Sequence, residues 1–171
     1  MDLSDLVPEL PDGWEKGESI PYGDPWGDLP ASPDPTKILI RACWRDDGGH
    51  FYYSIPADTP VADIVRFFEV GSHGAQSYSF DEEETIALVA EKATALAKLI
   101  PSRVTFADAA GLHLLFLRQV TDDDLRAIEA LFSDEDEATQ AGLEGYVSEW
   151  DGEGPLFEEV KRSNQFHFWW D

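Results

Sequence analysis

The sequence predicts an α+β fold: a single antiparallel sheet of about five strands, with helices packed on one face. Three observations predict it. Residues 37–55 and 103–120 each read as a pair of apolar strands around a turn that opens on Asp and closes on Gly. Each pair runs into a segment with capping residues and apolar side chains at helical spacing. A final aromatic run, 165–170, reads as one more strand. The order ββαα, ββαα, β describes a duplicated ββαα unit at low sequence similarity.

The elements follow in order. Residues 1–36 hold Pro8, Pro11, Pro21, Pro25, Pro30, Pro33 and Pro35. Each proline fixes φ and removes a backbone donor, so this density does not suit helix or strand interiors. Trp14, Tyr22 and Trp26 punctuate the stretch, which reads as an extended arm packed on a domain formed by 37–171. Lys37 to Trp44 is the first strand. Asp46-Asp47-Gly48-Gly49 is the turn, because its glycines accept positive φ, and His50 to Ile55 returns. Asp58 or Thr59 caps a helix running to Val70, and Gly71-Ser72-His73-Gly74 breaks it.

Ser79, with Glu82 three residues on, reads as a capping box opening the longest helix. Ile86, Val89, Ala90, Ala93, Leu96, Ala97 and Ile100 form its buried stripe, and Pro101 ends it. Arg103 to Ala107 and Leu112 to Val120 are the second strand pair, around Asp108-Ala109-Ala110-Gly111. Thr121 with Asp124 is a second capping box, opening a helix to Phe132. Ser133 with Asp136 is a third, with Leu143, Tyr146, Val147 and Trp150 facing inward. Residues 151–155 read as a turn before the closing strand, Gln165 to Trp170.

Composition bounds the function. The 171 residues are 43% hydrophobic and 12% aromatic, enough for a packed core, so the chain is not a disordered acidic tail. Against 12 Lys+Arg stand 35 Asp+Glu, a net charge of −23 that repels DNA, RNA and anionic membranes. No run approaches the ~18 apolar residues of a membrane span. Met1-Asp2-Leu3-Ser4-Asp5 shows no secretory signal, so a cytoplasmic protein is expected. Cys43 is the one cysteine, which rules out an internal disulfide and any multi-cysteine metal site.

The charge is uneven. Residues 121–159 hold fourteen acids and one base, Arg126, for a net −13, whereas residues 36–120 hold eleven acids and eight bases. A surface aimed at a cationic partner produces such asymmetry. The alternative is a solvated face that serves only solubility or salt adaptation; salt adaptation would acidify every exposed face, and the balanced middle stretch argues against that version of it. Asp122-Asp123-Asp124 and Asp134-Glu135-Asp136-Glu137 both sit at predicted helix starts, where capping and the helix dipole account for two or three of the acids. Glu144, Glu149, Asp151, Glu153, Glu158 and Glu159 are left unexplained by that.

The chain carries no phosphate-binding loop, no dinucleotide fingerprint, no H-E-x-x-H and no G-x-S-x-G. The Ca²⁺-loop pattern is also absent, so no metal or other cofactor is expected. His50, His113 and His167 fall in predicted strands, and His73 in a predicted break. If the strands neighbour one another, these histidines with Asp108 offer a metal or catalytic site, although no pair shows ligand spacing. Cys43, between Ala42 and Trp44, suits a small buried hydrophobe better than a nucleophile. Trp169 faces away from Phe166, Phe168 and Trp170 in a strand, and serves as a docking partner for the arm or as a binding anchor.

In physical character this small, acidic, tryptophan-bearing chain resembles toxin-immunity proteins and nucleic-acid mimics, a likeness of type without a shared motif. Beside an acidic surface of solubility or salt adaptation with an unrelated function, two functions fit the sequence. The first is a non-enzymatic binding or inhibitor protein whose Asp122, Asp123, Asp134, Glu135, Asp136, Glu137, Glu144 and Glu149, with Trp150 as apolar anchor, engage a basic protein such as a nuclease toxin or another nucleic-acid-handling enzyme. The second is a small enzyme or metal-binding protein using His113, His50 or His167 with Asp108.

Overall fold

Alternating apolar side chains in residues 37–56, 102–116 and 165–169 build one open sheet. The structure is a computed structural model and describes residues 9–20, 29, 32–44, 49–131, 133–147 and 154–170. Its strands are β1 (Glu15–Ser19), β2 (Lys37–Ala42), β3 (Phe51–Pro56), β4 (Ser102–Asp108), β5 (Gly111–Phe116) and β6 (Gln165–Trp169). Its helices are α1 (Val61–Phe67), α2 (Ser72–Tyr78), α3 (Glu82–Leu99), α4 (Asp122–Ala130), α5 (Glu135–Gln140), α6 (Glu144–Val147) and α7 (Pro155–Ser163).

The α+β class holds, but among the described residues the sheet has six strands and is mixed. Its order is β1-β3-β2-β4-β5-β6. The hairpins β2–β3 and β4–β5 form as expected, and they meet through their first strands. The crossover through α1, α2 and α3 brings β4 alongside β2 in the same direction, so this one pair is parallel. It is also short: only Arg41↔Phe106 and Ala42↔Ala107 pair across it. Among the described residues the second hairpin is followed by four helices where the first is followed by three, so the expected ββαα repeat is met only in its strand pairs.

Ile40, Ala42, Tyr53, Ile55, Val104, Leu112, Leu114, Phe166 and Phe168 alternate onto one face and are almost fully buried. Ile64 and Val65 of α1, Phe68 just after it, and Val89, Ala93 and Leu96 of α3 complete this core. Trp14 joins it, its ring 5.0 Å from Phe67 and 6.1 Å from Phe68. Within the proline-rich segment, β1 pairs with β3 through an irregular register. Tyr22, Trp26 and the expected turn at Asp46, Asp47 and Gly48 lie outside the described residues.

Several helix boundaries differ from expectation. α1 ends at Phe67, short of Val70, and Gly71, at φ 105°, is where the next helix, α2, begins. Gly74 inside α2 has to be glycine, because a Cβ there would lie 2.0 Å from the Trp170 ring. Ser79 adopts a left-handed conformation and closes α2, while Asp81 caps α3 by accepting the Glu84 N–H at 2.8 Å. Likewise Asp134, not Ser133, caps α5, accepting the N–H groups of Asp136 and Glu137 at 3.0 and 3.1 Å. In each case a carboxylate one or two residues closer to the helix displaces the serine. Pro60 precedes α1, and the Thr59 hydroxyl donates to Pro56 O instead of capping. The Thr121–Asp124 capping box of α4 is formed as expected, with both reciprocal bonds.

The reading of a turn followed directly by the last strand missed α7. Pro155 stands at the start of this helix, where its missing N–H costs nothing, and Phe157 and Val160 are buried. Asn164, left-handed at φ 59°, ends it; its side chain accepts from Val120 N and donates to Arg118 O. The outer edge of β6 is thereby covered: Gln165 N bonds Ser163 Oγ, His167 N bonds the Tyr146 hydroxyl and Trp169 N bonds Gly142 O. No helix among the described residues is long and apolar enough to cross a membrane.

Candidate functional site

Two sets of polar side chains stand out: the carboxylates around α4 and α5, and a line of histidines on the sheet face opposite α1 and α3.

The first set is partly absorbed by structure. Asp124 completes the capping box and takes a two-pronged ion pair from Arg118, at 2.6 and 2.9 Å. That guanidinium holds its carboxyl well below the usual carboxylate range. Asp122 bonds Lys161 Nζ of α7 at 2.6 Å, which lowers its pKa, and Asp123 pairs with Arg126 at 3.1 Å. Glu137 lies 3.8 Å from Lys92 of α3, and Lys92 also donates to Leu131 O at 3.0 Å. Asp134 spends its carboxylate on the cap. Glu135 and Asp136 are exposed and have no cationic partner among the described residues. Glu144 begins α6, whereas Glu149 and Trp150 lie outside the described residues. Six of the nine residues expected at a partner surface therefore sit at the starts of two successive helices.

The second set follows from strand register. Tyr52, Arg41, Phe106, His113 and His167 are successive partners across β3, β2, β4, β5 and β6, so their side chains form a row on one face. The His113 ring stacks on His167 at 3.8 Å and on Phe106 at 4.7 Å. His50, just before β3, lies 5.2 Å from Phe106 and donates from Nε2 to Asp108 Oδ2 at 2.9 Å. Asp108 Oδ1 also accepts the Ala110 N–H at 2.8 Å, which fixes the carboxylate.

Burial sets the protonation of this row. Arg41 and His113 are buried. Desolvation, then the nearby His167 and Arg41, push the His113 pKa down to about 3. Burial also lowers that of His167. Both rings are neutral near pH 7 and can stack without repulsion.

His50, His113, His167 and Asp108 are thus brought to one face, as a hydrogen-bonded pair and a stacked pair joined through Phe106. No group of three or more His, Cys, Asp or Glu residues among those described could hold a metal ion. His73 is exposed on α2, apart from the row. Cys43 is partly exposed just after β2 and donates its N–H to Ala107 O at 3.2 Å. Trp169 is half-buried against Tyr146, at 5.5 Å, and a Cβ on Gly145 would lie 2.8 Å from its ring. These α6 residues stand where an arm or a partner was expected. The bulge that resets β4 between Val104 and Phe106 is what turns Phe106 toward the histidines. Only the pairing of His113 with His167 could have signalled the row, and it depends on a strand order that the sequence does not state.

Comparison with protein-family models, with curated proteins and with solved structures finds no match for this chain.

Proposed function

We propose that the protein is a non-enzymatic acidic binding protein that engages a basic protein partner, in the manner of a toxin-immunity protein or a nucleic-acid mimic. The observation that carries this is the exposed acidic side chains at the starts of α4 and α5. Asp122, Asp123, Asp134, Glu135 and Asp136 are all exposed there, and Glu135 and Asp136 exceed what capping and local ion pairs require. Arg126 is engaged by Asp123, so its charge is already offset. Such a surface raises the rate of encounter with a cationic face and sets orientation. Cytoplasmic location, and residues 1–36 as an arm on a 37–171 domain, belong to the same proposal.

The test is capture from the native host followed by association kinetics. A basic protein should be retained, and its on-rate should fall as salt rises past the ~8 Å Debye length of physiological ionic strength. Glu135→Gln with Asp136→Asn should slow association further. Retention of no basic protein, or an on-rate indifferent to both salt and substitution, would leave these acids as a solubilising surface.

A second reading has its own support, the His50–Asp108 bond beside the stacked His113 and His167. A small enzyme or metal-binding protein would use this face. Zn²⁺ titration followed by histidine ring NMR distinguishes it: stoichiometric shifts of His113, His167 or His50 would favour it over the acidic-surface reading.

A further inference from the structure

The strand order sets a cysteine beneath a histidine–carboxylate bond. Arg41 of β2 stands opposite Tyr52 of β3 on one side and Phe106 of β4 on the other. Two residues on, at the same end of the three strands, come Cys43, His50 and Asp108. Backbone bonds hold this next row in place: Cys43 N–H donates to Ala107 O at 3.2 Å, and His50 O accepts from Ile20 N at 2.9 Å. Alternation turns Cys43 to the face that carries Arg41, while Ala42 between them is buried in the core.

β2 lies between β3 and β4, so the 2.9 Å bond from His50 to Asp108 spans it. Neighbouring strands run ~4.8 Å apart, which puts the backbones of His50 and Asp108 about 10 Å apart, with Cys43 about one strand spacing from each. The residue under that bond is therefore Cys43.

This row holds the parts of an activated thiol. A thiol attacks as its thiolate, which a base or a neighbouring cation makes available near neutral pH. His50 directs its Nε2–H at Asp108, which leaves Nδ1 as the acceptor of the ring. Asp108 is itself fixed by the Ala110 N–H at 2.8 Å, so the imidazole is oriented by an anchored carboxylate. The buried Arg41 adds positive charge on the same face. The other titratable side chains of these rows among the described residues are Tyr52 and, beyond Phe106, His113 and His167, both neutral near pH 7. Arg45, Asp46 and Asp47 follow in the sequence, outside the described residues. Cys43 is partly exposed, within reach of a small molecule.

We propose that Cys43 is a reactive thiol that exchanges with small disulfides, with His50 as its base and Asp108 positioning His50. The Cys43 sulfur bonds one sulfur of the reagent, the reagent's S–S bond breaks, and its second sulfur leaves with the electron pair. The thiol proton passes through His50 to that leaving thiolate, so one mixed disulfide and one thiol are formed. The net charge of −23 disfavours anionic disulfides, so the reagent carries no negative charge. The site is separate from the acidic starts of α4 and α5 and needs neither function proposed above.

Two measurements on the full-length chain test it. Alkylation by iodoacetamide, which reads the thiolate, should reach half its maximal rate at least about one pH unit below the ~8.5 of an ordinary cysteine. His50→Gln should raise that midpoint by about one unit, and Asp108→Asn by about half a unit. Hydroxyethyl disulfide should form the mixed disulfide, read by mass, at least about threefold faster at pH 7 than with a peptide of residues 40–46, and Cys43→Ser should abolish the product. Urea unfolding verifies the fold of each variant, and the parent profile decides alone where a variant does not fold. A parent midpoint less than one unit below that of an ordinary cysteine, exchange no faster than the peptide's, or a folded His50→Gln that leaves the midpoint in place would each overturn the assignment.

Discussion

On the helix-covered face of the sheet, β2, β4, β5 and β6 present Ile40, Val104, Leu112 and Phe168; on the opposite face the same strands present Arg41, Phe106, His113 and His167. Both faces bury side chains, yet by different physics. The first gains from removing aliphatic and aromatic surface from water and is indifferent to pH. The second buries groups that must stay neutral or matched, so its contribution depends on protonation. One sheet thus combines a pH-independent core with a titratable layer.

The largest expected effect tests the first face. Leu112→Ala should lower unfolding free energy by about 3 kcal/mol, because its side chain is fully buried and the cavity cannot collapse against strands on both sides. Leu115→Ala, on the opposite face and half-buried, should lose about 1 kcal/mol. Equal losses in urea titrations would erase the distinction between the faces.

Acid should single out the second face. His113 is neutral in the fold down to about pH 3, whereas an unfolded histidine takes up a proton below ~6.5. The unfolded state therefore binds more protons in that window, and stability falls as pH falls through it, by up to ~1.4 kcal/mol per pH unit for this one group. His167, also lowered, acts in the same direction. Asp122 and Asp124, held low by Lys161 and Arg118, lose their contribution only below the ordinary carboxylate range. Urea unfolding between pH 6 and 4.5 should thus show a slope that His113→Phe, which keeps a stacked ring, reduces by about one proton. An unchanged slope would remove the titratable layer from the comparison.

A smaller effect is expected at Asp108. Asp108→Ala removes the bonds to His50 and to Ala110 N, and should cost about 1–2 kcal/mol at pH 7. Smallest of all is the exposed surface of α5. Glu135→Gln with Asp136→Asn should leave thermal unfolding within about 0.5 kcal/mol of the parent, because neither side chain caps the helix or pairs with a base among the described residues. Asp134 is left intact in this variant, since its carboxylate is the cap.

Strand pairs, the α4 capping box, the long α3 and the acidic bias of 121–159 were legible in the sequence because each depends on neighbours a few residues apart. Alternation marks a strand, Thr121 and Asp124 face each other across one turn, and a charge run stays a charge run in any fold. α7 was hidden because the Gly and Pro at its start read as a turn, although the same Pro155 is suited to a first helical position. The serines at 79 and 133 were plausible caps, and only the backbone shows that Asp81 and Asp134 hold those positions.

The tertiary structure decided what depends on strand order. The sequence states that β2 and β4 are strands, but their parallel pairing follows from how the α1–α3 crossover packs back onto the sheet. That pairing sets Arg41 beside Phe106, and β5 and β6 extend the row to His113 and His167, residues 41, 106, 113 and 167 along the chain. By itself the sequence determined which residues are apolar, charged or turn-forming, because these are properties of side chains and their near neighbours. Which of the distant ones meet was decided by packing, because only a closed core selects one strand order among those the same local patterns allow.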